Sequence, residues 1–342
     1  MSSSHRVVVF GAGKLGRRVA SAVTAQVFCD NNPALWGTSI DGIPVVSPAE
    51  AIRQFPDATF IVAIWHPSRT ESMADRLAWL REIGAQHVSA FTALLPTYED
   101  HLLPNFFWAT SEYFTAHREE IARARALFDK AGRDEFDRQL QLRMGDHSGQ
   151  MIDSGIQYFP TNLFQLNANE VFIDCGAFDG DTIAEFLRVS NNRFTQLVAF
   201  EPDSTNFSAL QAAFNDDGRI KLLPYAVSAR REKLHFSTAG TGSHISPSGT
   251  SVVETITLDE ALDGVKPTYI KFDIEGSELD ALDGAKEIIS RHRPKLAVCV
   301  YHMPNHLWRI PLRLRELLPD SLLTLRTHTA DGFECVCYCI PR

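Results

Sequence analysis

VFIDCGAFDGDT, at residues 171–182, is the stretch that decides how the second half of this chain folds. Its apolar start predicts a strand that ends in Asp174, and the chain then turns through Gly176 and Gly180 into a predicted helix. Glycine lets the backbone of such a loop approach a ligand closely, and the first N–H groups of the helix point at whatever is bound there. The stretch therefore predicts a ligand site between a strand and a helix.

The second half of the chain contains a set of predicted strands, at residues 171–174, 197–201, 220–224, 269–273, 296–301, 322–326 and 334–340. Predicted helices separate the earlier strands, which favours a parallel sheet. The last two strands are joined by residues 327–332, too few for a helical crossover, so they should be antiparallel. A β-ribbon of residues 234–236 and 252–256 is predicted before the fourth strand. This pattern resembles the seven-stranded sheet of S-adenosylmethionine-dependent methyltransferases.

S-adenosylmethionine needs donors for its carboxylate, an acid for its ribose hydroxyls and electron-rich surroundings for its sulfonium. The glycine loop can supply backbone N–H groups, and Glu201, at the carboxyl end of the second strand, can accept both ribose hydroxyls. Asp174 can meet the ammonium group, and Phe178 can lie near the sulfonium or the adenine. Each residue alone also fits a plain turn or an exposed strand end. Together they predict a cofactor site, made of Asp174, Gly176, Phe178, Asp179, Gly180 and Glu201.

Four segments of this half, VFIDCGAFDGDT, AFEPD, YIKFDIEGSELDALDGA and KLAVCVYHMPNHLWRIPLRL, resemble the FkbM family of methyltransferases. The resemblance covers residues 157–342. Its most specific part is IKFDIEGSE, where the pattern of the family falls on Lys271, Asp273, Glu275 with Gly276, and Glu278. The resemblance implies an O-methyltransferase that acts on hydroxyl groups of sugars or natural products.

An alkyl hydroxyl is a poor nucleophile, so its methylation needs a base or a metal that acidifies it. Asp273 ends the fourth strand and His302 follows the fifth, so both should face the same edge of the sheet. We expect Asp273 or His302 to be the base and Glu275 to bind or orient the acceptor. A buried histidine with no catalytic role is the alternative for His302. The same three residues could hold a divalent ion, but their spacing is not diagnostic, and the sequence-based prediction is that there is no metal.

The first half begins with GAGKLG, which follows a predicted strand and opens a predicted helix. Gly11, Gly13 and Gly16 have the G-x-G-x-x-G spacing, and Asp30 ends the next predicted strand nineteen residues after Gly11. This arrangement resembles a Rossmann-type half, in which such an acid binds ribose hydroxyls. NAD, a mononucleotide, a sugar nucleotide and an empty fold remain open as interpretations, and Asp30 disfavours a 2′-phosphate.

The predicted fold class is α/β with two Rossmann-like domains, the second a seven-stranded methyltransferase sheet with an antiparallel last strand. Between them lies a charged segment with helical spacing. Its Phe106, Phe107 and Trp108 fit a local core better than a contact between domains or between copies of a homo-oligomer. The predicted boundaries are 1–95 for the nucleotide-binding domain, 96–156 for a helical connector and 157–342 for the methyltransferase domain.

Composition excludes several other classes of protein. The net charge of -9 and the lack of a basic stripe argue against nucleic acid as a partner. The longest apolar runs, such as residues 60–65, are too short to span a membrane. The polar N-terminal lead lacks the apolar core of a signal peptide, which predicts a cytoplasmic protein. The six cysteines have neither disulfide nor zinc spacing.

Three functions therefore compete. The favoured one is a methyltransferase that uses S-adenosylmethionine and methylates a hydroxyl of a sugar, glycan or nucleotide sugar. A nicotinamide-dependent oxidoreductase built on the first domain is the second, but no Tyr-x-x-x-Lys pair follows that sheet and Trp65, His66 and Pro67 form a thin catalytic set. A scaffold that keeps a cofactor pocket without turnover is the third.

Overall fold

A computed structural model describes residues 6–68, 70–103, 106–148, 155–237, 244–245, 249 and 251–342. The polar N-terminal lead and the end of the predicted connector, residues 149–154, lie outside this part. The chain divides into two compact units. The first unit comprises Met1–Arg118, Asp137–Ile152 and Thr329–Phe333, and the second comprises Glu119–Phe136, Asp153–His328 and Glu334–Arg342. The domain boundaries at residues 95 and 156 stay a prediction.

The first unit is built on an open α/β sheet. Its elements are β1 (Val7–Phe10), α1 (Lys14–Val23), β2 (Val27–Cys29), β3 (Ser39–Ile40), β4 (Ile43–Val46), α2 (Pro48–Gln54), β5 (Thr59–Val62), α3 (Met73–Glu82) and β6 (His87–Ala90). The strand order is β3-β4-β2-β1-β5-β6, and every pair is parallel except β3 with β4. Without the edge strand β3, this is the order of a Rossmann-like sheet that reverses beside β1. The predicted α/β sheet in the first half of the chain is confirmed.

Helices follow this sheet, as the charged pattern of the predicted connector indicates. They are α4 (Leu95–Leu102), α5 (Ser111–Ala116), α6 (Arg118–Ala126) and α7 (Lys130–Arg143). Within the first unit, Phe107 and Trp108 are fully buried, and their rings lie 5.0 and 5.3 Å from that of Trp65. The ring of Phe333 also lies against that of Trp65, with 4.2 Å between the ring centroids and a tilt of 36° between the planes. The aromatic residues therefore form a local core, as the sequence favours, and Phe106 lies at its exposed rim.

The second unit contains the longer α/β succession. Its elements are β7 (Val171–Cys175), α8 (Asp181–Val189), β8 (Gln196–Phe200), α9 (Ser204–Phe214), β9 (Ile220–Leu223), β10 (Ala226–Val227), β11 (Lys233–Ser237), β12 (His244–Ile245), β13 (Ser251–Ile256), α10 (Leu258–Ala261), β14 (Tyr269–Phe272), α11 (Glu278–Asp283), α12 (Lys286–His292), β15 (Lys295–Cys299), α13 (His306–Leu317), β16 (Leu322–Thr327) and β17 (Cys335–Ile340). The main sheet has seven strands in the order β16-β17-β15-β14-β7-β8-β9. Only β17 runs antiparallel to its neighbours β15 and β16, so the predicted sheet is confirmed. The predicted ribbon forms as the antiparallel pair β11 and β13.

The apolar character of the central strands follows from their position. Residues of β7 and β14 are buried on both faces of the sheet, because helices cover both faces of a parallel sheet. Polar side chains can therefore reach solvent only where the strands end. The carboxyl ends of β7, β8, β14 and β15 lie at one edge, which is where an open α/β sheet binds its ligands. No helix within the described residues is long and apolar enough to span a membrane.

Candidate functional site

A cleft of about 290 Å³ opens at the carboxyl edge of the seven-stranded sheet in the second unit. It brings together five of the predicted site residues in its lining: Gly176, Phe178, Glu201, Asp273 and Glu275. Four others of this unit lie next to these residues in the chain or in space without lining the cleft: Asp174, Asp179, Gly180 and His302. The remaining four predicted residues belong to the first unit: Gly11, Gly13, Gly16 and Asp30.

The glycine loop is shaped by close packing of backbone on backbone. Gly176 has a φ of +90°, and a Cβ atom at this position would lie 1.9 Å from the carbonyl oxygen of Asp273. The N–H groups of Gly176 and Ala177 both donate to the carbonyl of Phe200, at 3.1 and 3.0 Å. Several N–H groups of the loop therefore donate to other protein atoms. Fewer of them are available to a ligand than the sequence of the loop suggests.

Glu201 connects this loop to the wall of the cleft. Its carboxylate accepts hydrogen bonds from the backbone N–H groups of Phe178, at 2.9 Å, and Asp203, at 2.8 Å. Burial raises the pKa of Glu201, although these hydrogen bonds oppose the shift. The side-chain amide of Asn206 also donates to Oε1 at 3.5 Å, whereas Oε2 keeps a lone pair beyond its backbone partner. Glu201 can therefore accept further hydrogen bonds from a ligand in the cleft while its orientation is fixed.

Asp174 lies behind the loop, fully buried in β7. Its Oδ1 atom pairs with Lys271 Nζ at 2.9 Å, and the same ammonium donates to the carbonyl of Gly176 at 2.9 Å. The register of β7 and β14 sets Asp174 beside Lys271. Burial raises the pKa of Asp174 to about 6 against the attraction of Lys271. The Oδ2 atom is buried without a hydrogen-bond partner among the described residues. Contact between Asp174 and the ammonium group of a cofactor stays a prediction.

Asp273 stands where β14 ends and lies at the centre of a polar cluster. Its Oδ2 atom accepts a hydrogen bond of 2.7 Å from the Tyr158 hydroxyl, and its Oδ1 atom lies 3.3 Å from His302 Nε2. The same nitrogen lies 3.7 Å from Glu275 Oε2. Glu275 has a φ of +54°, and burial raises the pKa of its carboxyl group to about 8. The structure thus brings together the three residues that the sequence predicts for catalysis.

His302 is held from behind by Glu278, whose side chain is fully buried. The two side chains are 2.7 Å apart, between His302 Nδ1 and Glu278 Oε1. Burial by itself would lower the pKa of His302, but the attraction of Glu278 outweighs it and raises that pKa to about 10. Burial would likewise raise the pKa of Glu278, and His302 holds it well below its usual range. Without a metal, His302 is therefore protonated at neutral pH.

Sequence reasoning missed several residues that line the cleft: Gln157, Tyr158, Tyr301 and Glu334. The Tyr301 hydroxyl lies 3.3 Å from Glu334, and burial raises the pKa of Glu334 to about 7. Glu334 could have been found, because the start of an antiparallel strand lies at the same edge as the ends of its parallel neighbours. Tyr158 precedes the sheet by more than ten residues, and no sequence pattern marks it.

The glycine loop of the first unit follows the dinucleotide-binding geometry in two respects. A Cβ atom at Gly16 would lie 1.8 Å from the carbonyl oxygen of Gly11, so the helix packs directly on the loop. Asp30 accepts the N–H of Ala12 at 2.9 Å. A Cβ atom at Gly13 would meet nothing within 4 Å. Packing of the described residues therefore explains Gly16 but gives no reason for glycine at position 13.

Comparison with known proteins gives a match to a family model and matches to solved structures. Residues 174–326 match the family model of the methyltransferase FkbM domain. The chain is similar to the crystal structure of a methyltransferase FkbM from Methylobacillus flagellatus KT, with a TM-score of 0.80 and 21% identity over 98% of this chain and 90% of that chain. An rRNA methylase from Streptococcus thermophilus matches with a TM-score of 0.34 and 14% identity over 52% of this chain and 90% of that chain, a similarity too low to carry an argument. No curated protein matches the chain.

Proposed function

We propose that the protein is an S-adenosylmethionine-dependent O-methyltransferase, because residues 174–326 match the family model of the methyltransferase FkbM domain. Its acceptor is a hydroxyl group of a sugar, a glycan or a nucleotide sugar. The observation that supports this proposal is the shared cleft, which has the glycine loop and Glu201 on one wall and Asp273 and Glu275 on the other. A donor and an acceptor bound to these walls would meet inside it.

The residues of the cleft fit the cofactor. Its volume of about 290 Å³ is close to the lower end of the range for small-molecule sites, roughly 300–1,000 Å³. Glu201 would hold the ribose hydroxyls, and Gly176 and Phe178 would border the methionine part and the sulfonium. When bound, S-adenosylmethionine supplies an electrophilic methyl group. Asp174 would act from behind the loop, through Lys271 and Gly176, or on the ammonium group.

Asp273 is the residue we assign as proton acceptor. The Tyr158 hydroxyl fixes Oδ2 of Asp273, and Oδ1, which lies 3.5 Å from the Tyr301 hydroxyl and 3.3 Å from His302 Nε2, is the oxygen we assign to the acceptor hydroxyl. As the acceptor oxygen forms its bond to the methyl carbon, the carbon–sulfur bond breaks with its electron pair going to sulfur, and the hydroxyl proton passes to Asp273. His302 is already protonated in the metal-free protein, so it orients Asp273 rather than accepting the proton.

Glu275 is the residue we assign to acceptor orientation. Its carboxyl group lines the cleft. The backbone of Glu275 has a φ of +54°, a left-handed conformation that costs energy in residues other than glycine. Such strain is typical of functional positions. A carboxyl group at this place can exchange hydrogen bonds with neighbouring hydroxyls of a sugar ring, which is why a saccharide is the acceptor class we propose.

Two variants test the proposal through different steps. Glu201→Gln removes a charged acceptor of hydrogen bonds, worth about 1.5–3 kcal/mol, so S-adenosylmethionine should bind about 10- to 100-fold more weakly in calorimetry. Asp273→Asn should keep cofactor binding but lower transfer of a labelled methyl group to nucleotide sugars or glycans by a factor on the order of 100 or more. Asp216→Asn, at an exposed position, is the matched control.

The assignment of the base would be wrong if Asp273→Asn and His302→Ala both left turnover unchanged with cofactor binding intact. A wild-type protein that binds S-adenosylmethionine but methylates no carbohydrate hydroxyl would contradict the proposed reaction and favour the scaffold.

For the first unit, the observation at Gly13 supports a nucleotide ligand. The second glycine of G-x-G-x-x-G lets backbone approach a pyrophosphate, and Gly13 is the glycine of this loop whose Cβ would meet no protein atom. Asp30 would accept ribose hydroxyls. A nucleotide or NAD is therefore the ligand class we propose for this sheet. Adding NADH and following its fluorescence distinguishes NAD from a sugar nucleotide, and turnover of nicotinamide would favour the oxidoreductase instead.

A further inference from the structure

His302 presents one ring nitrogen, Nε2, that has no hydrogen-bond partner among the described residues although the residue is only 4% exposed. Its Nδ1 atom is engaged by Glu278, which leaves Nε2 directed at the carboxylates of Asp273 and Glu275. The distance from Nε2 to Asp273 Oδ1 is 3.3 Å, just beyond the usual range of a hydrogen bond. The distance from Nε2 to Glu275 Oε2 is 3.7 Å, which is too long for a hydrogen bond. The nitrogen thus points into a gap between two carboxylates.

This gap has the dimensions of a coordination sphere. Two ligands at adjacent positions, each about 2.1 Å from a metal ion, are roughly 3 Å apart. The spacing from His302 Nε2 to Asp273 Oδ1 is 3.3 Å and that to Glu275 Oε2 is 3.7 Å, so small side-chain movements would close both onto one ion. Asp273 and His302 also belong, together with Glu278, to a group whose ligand atoms lie within 4.8 Å of one another, a group that does not include Glu275.

Glu278 supplies the support that a histidine ligand requires. Metal-binding histidines commonly donate the hydrogen of their other nitrogen to a carboxylate, which fixes the tautomer and the ring orientation. Glu278 is fully buried and lies 2.7 Å from His302 Nδ1. The backbone N–H of Ile274 donates to the same Glu278 oxygen at 3.0 Å. A metal ion would therefore find Nε2 already oriented toward it.

The charges around His302 leave room for a further cation. Three carboxylates, of Asp273, Glu275 and Glu278, lie within 3.7 Å of one imidazole ring. His302 is the only cationic side chain within ion-pair distance of Glu275 among the described residues. Lys271, the nearby ammonium, is already paired with Asp174.

We propose that Asp273, Glu275 and His302 bind a divalent cation, with Mn²⁺ as the best-fitting ion. Two carboxylate oxygens and one imidazole nitrogen form a mixed ligand set. Mg²⁺ prefers sites made of oxygen alone, so this set suits Mn²⁺ better than Mg²⁺. Asp273 and Glu275 line the cleft, so the open coordination positions face the place proposed for the acceptor. The inference deepens the proposed function and rests on it for the acceptor: a hydroxyl bound to the ion would lose its proton more readily, and with Oδ1 of Asp273 holding the ion that proton would pass to Oδ2 of the same carboxylate.

Titration of the full-length protein with Mn²⁺, followed by electron paramagnetic resonance of the free ion, tests the site without cofactor or acceptor. One ion per chain should bind, and Mg²⁺ should displace it. Glu275→Gln, at a partly exposed side chain, should weaken binding by a factor of ten or more, and Glu278→Gln by about 10- to 100-fold. Asp216→Asn is the control, and circular dichroism checks that each variant folds.

Stoichiometric binding that Glu275→Gln weakens supports the site. If the wild-type protein binds Mn²⁺ no more strongly than the Glu275→Gln protein does, the proposed metal site is refuted. His302 is then an imidazolium paired with carboxylates. This result is independent of turnover. Methyl transfer that persists after chelation without Mn²⁺ binding would remove the metal site but keep the proposed function, whereas Mn²⁺ binding without methyl transfer would keep the site and remove the function.

Discussion

Lys271→Met is the substitution that probes the buried ion pair beneath the glycine loop. Lys271 and Asp174 are 2% and 0% exposed at their side chains, with 2.9 Å between Nζ and Oδ1. Methionine keeps the length and the apolar stem of lysine but removes its charge. Asp174 would then have no cation partner in the interior, and it would stay protonated in the folded state, because an unpaired buried charge is more costly than a bound proton.

The magnitude follows from the ionisation of Asp174. Its pKa is about 6 in the folded protein, above the value of about 3.9 in an unfolded chain. An acid with a raised pKa lowers stability as the pH rises between these two values, and in the wild type the effect ends near pH 6. In Lys271→Met the folded state keeps its proton at higher pH. Stability should therefore fall by about 1.4 kcal/mol per pH unit, or about 2.7 kcal/mol more than the wild type between pH 6 and pH 8.

Equilibrium unfolding in urea at pH 6 and pH 8 measures this difference, with limited proteolysis identifying the transition of the second unit. The double variant Asp174→Asn with Lys271→Met is the matched control, since it lacks the titrating carboxyl group and should recover the pH dependence of the wild type. If Lys271→Met and the wild type lose stability in parallel between the two pH values, Lys271 does not control the ionisation of Asp174, and the reasoning is refuted.

Three further predictions have defined outcomes. Gly176→Ala places a Cβ atom 1.9 Å from a backbone carbonyl oxygen at a φ of +90°, so it should abolish cofactor binding in calorimetry and lower the melting temperature, whereas Gly218→Ala, with open space around it, should do neither. Gly16→Ala, 1.8 Å from a carbonyl oxygen, should destabilise the first unit, whereas Gly13→Ala should keep its stability and weaken nucleotide binding; equal melting temperatures would contradict the packing argument. Asp331→Asn removes one charge from the buried ion pair of Asp331 with Arg76, in which the two side chains are 2.9 Å apart. The free energy of unfolding in urea should fall by about 3–5 kcal/mol, and a fall of less than about 1 kcal/mol would contradict this prediction.

Local sequence patterns predict most of the two sheets. Runs such as VVVF and VFIDC are apolar along their whole length because parallel strands are covered on both faces, and glycine loops punctuate them where helices begin. The shortness of the segment between β16 and β17 predicts the antiparallel last strand, since chain length alone rules out a crossover. These features depend on residues that are neighbours in the chain, so they can be predicted without knowledge of distant contacts.

The partners of the catalytic residues could not be predicted in this way. Tyr158 meets Asp273 across 115 positions of sequence, and Glu334 meets Tyr301 across 33. Glu278 has the appearance of a helix-start acid, yet its carboxylate is fully buried against His302. The protonation of His302 follows from that contact and from burial, so it exists only in the folded chain.

The sequence by itself determined the order of strands and helices, the two glycine loops and the strand-end acids Glu201 and Asp273, because each depends on local periodicity and on residues within one βα unit. Only the tertiary structure decided that Asp174 is paired with Lys271 behind the loop and that His302 turns its Nε2 atom toward Asp273 and Glu275. The physical reason is that burial and charge act through space, and the groups that share a cleft are set by the packing of strands that are distant in the chain.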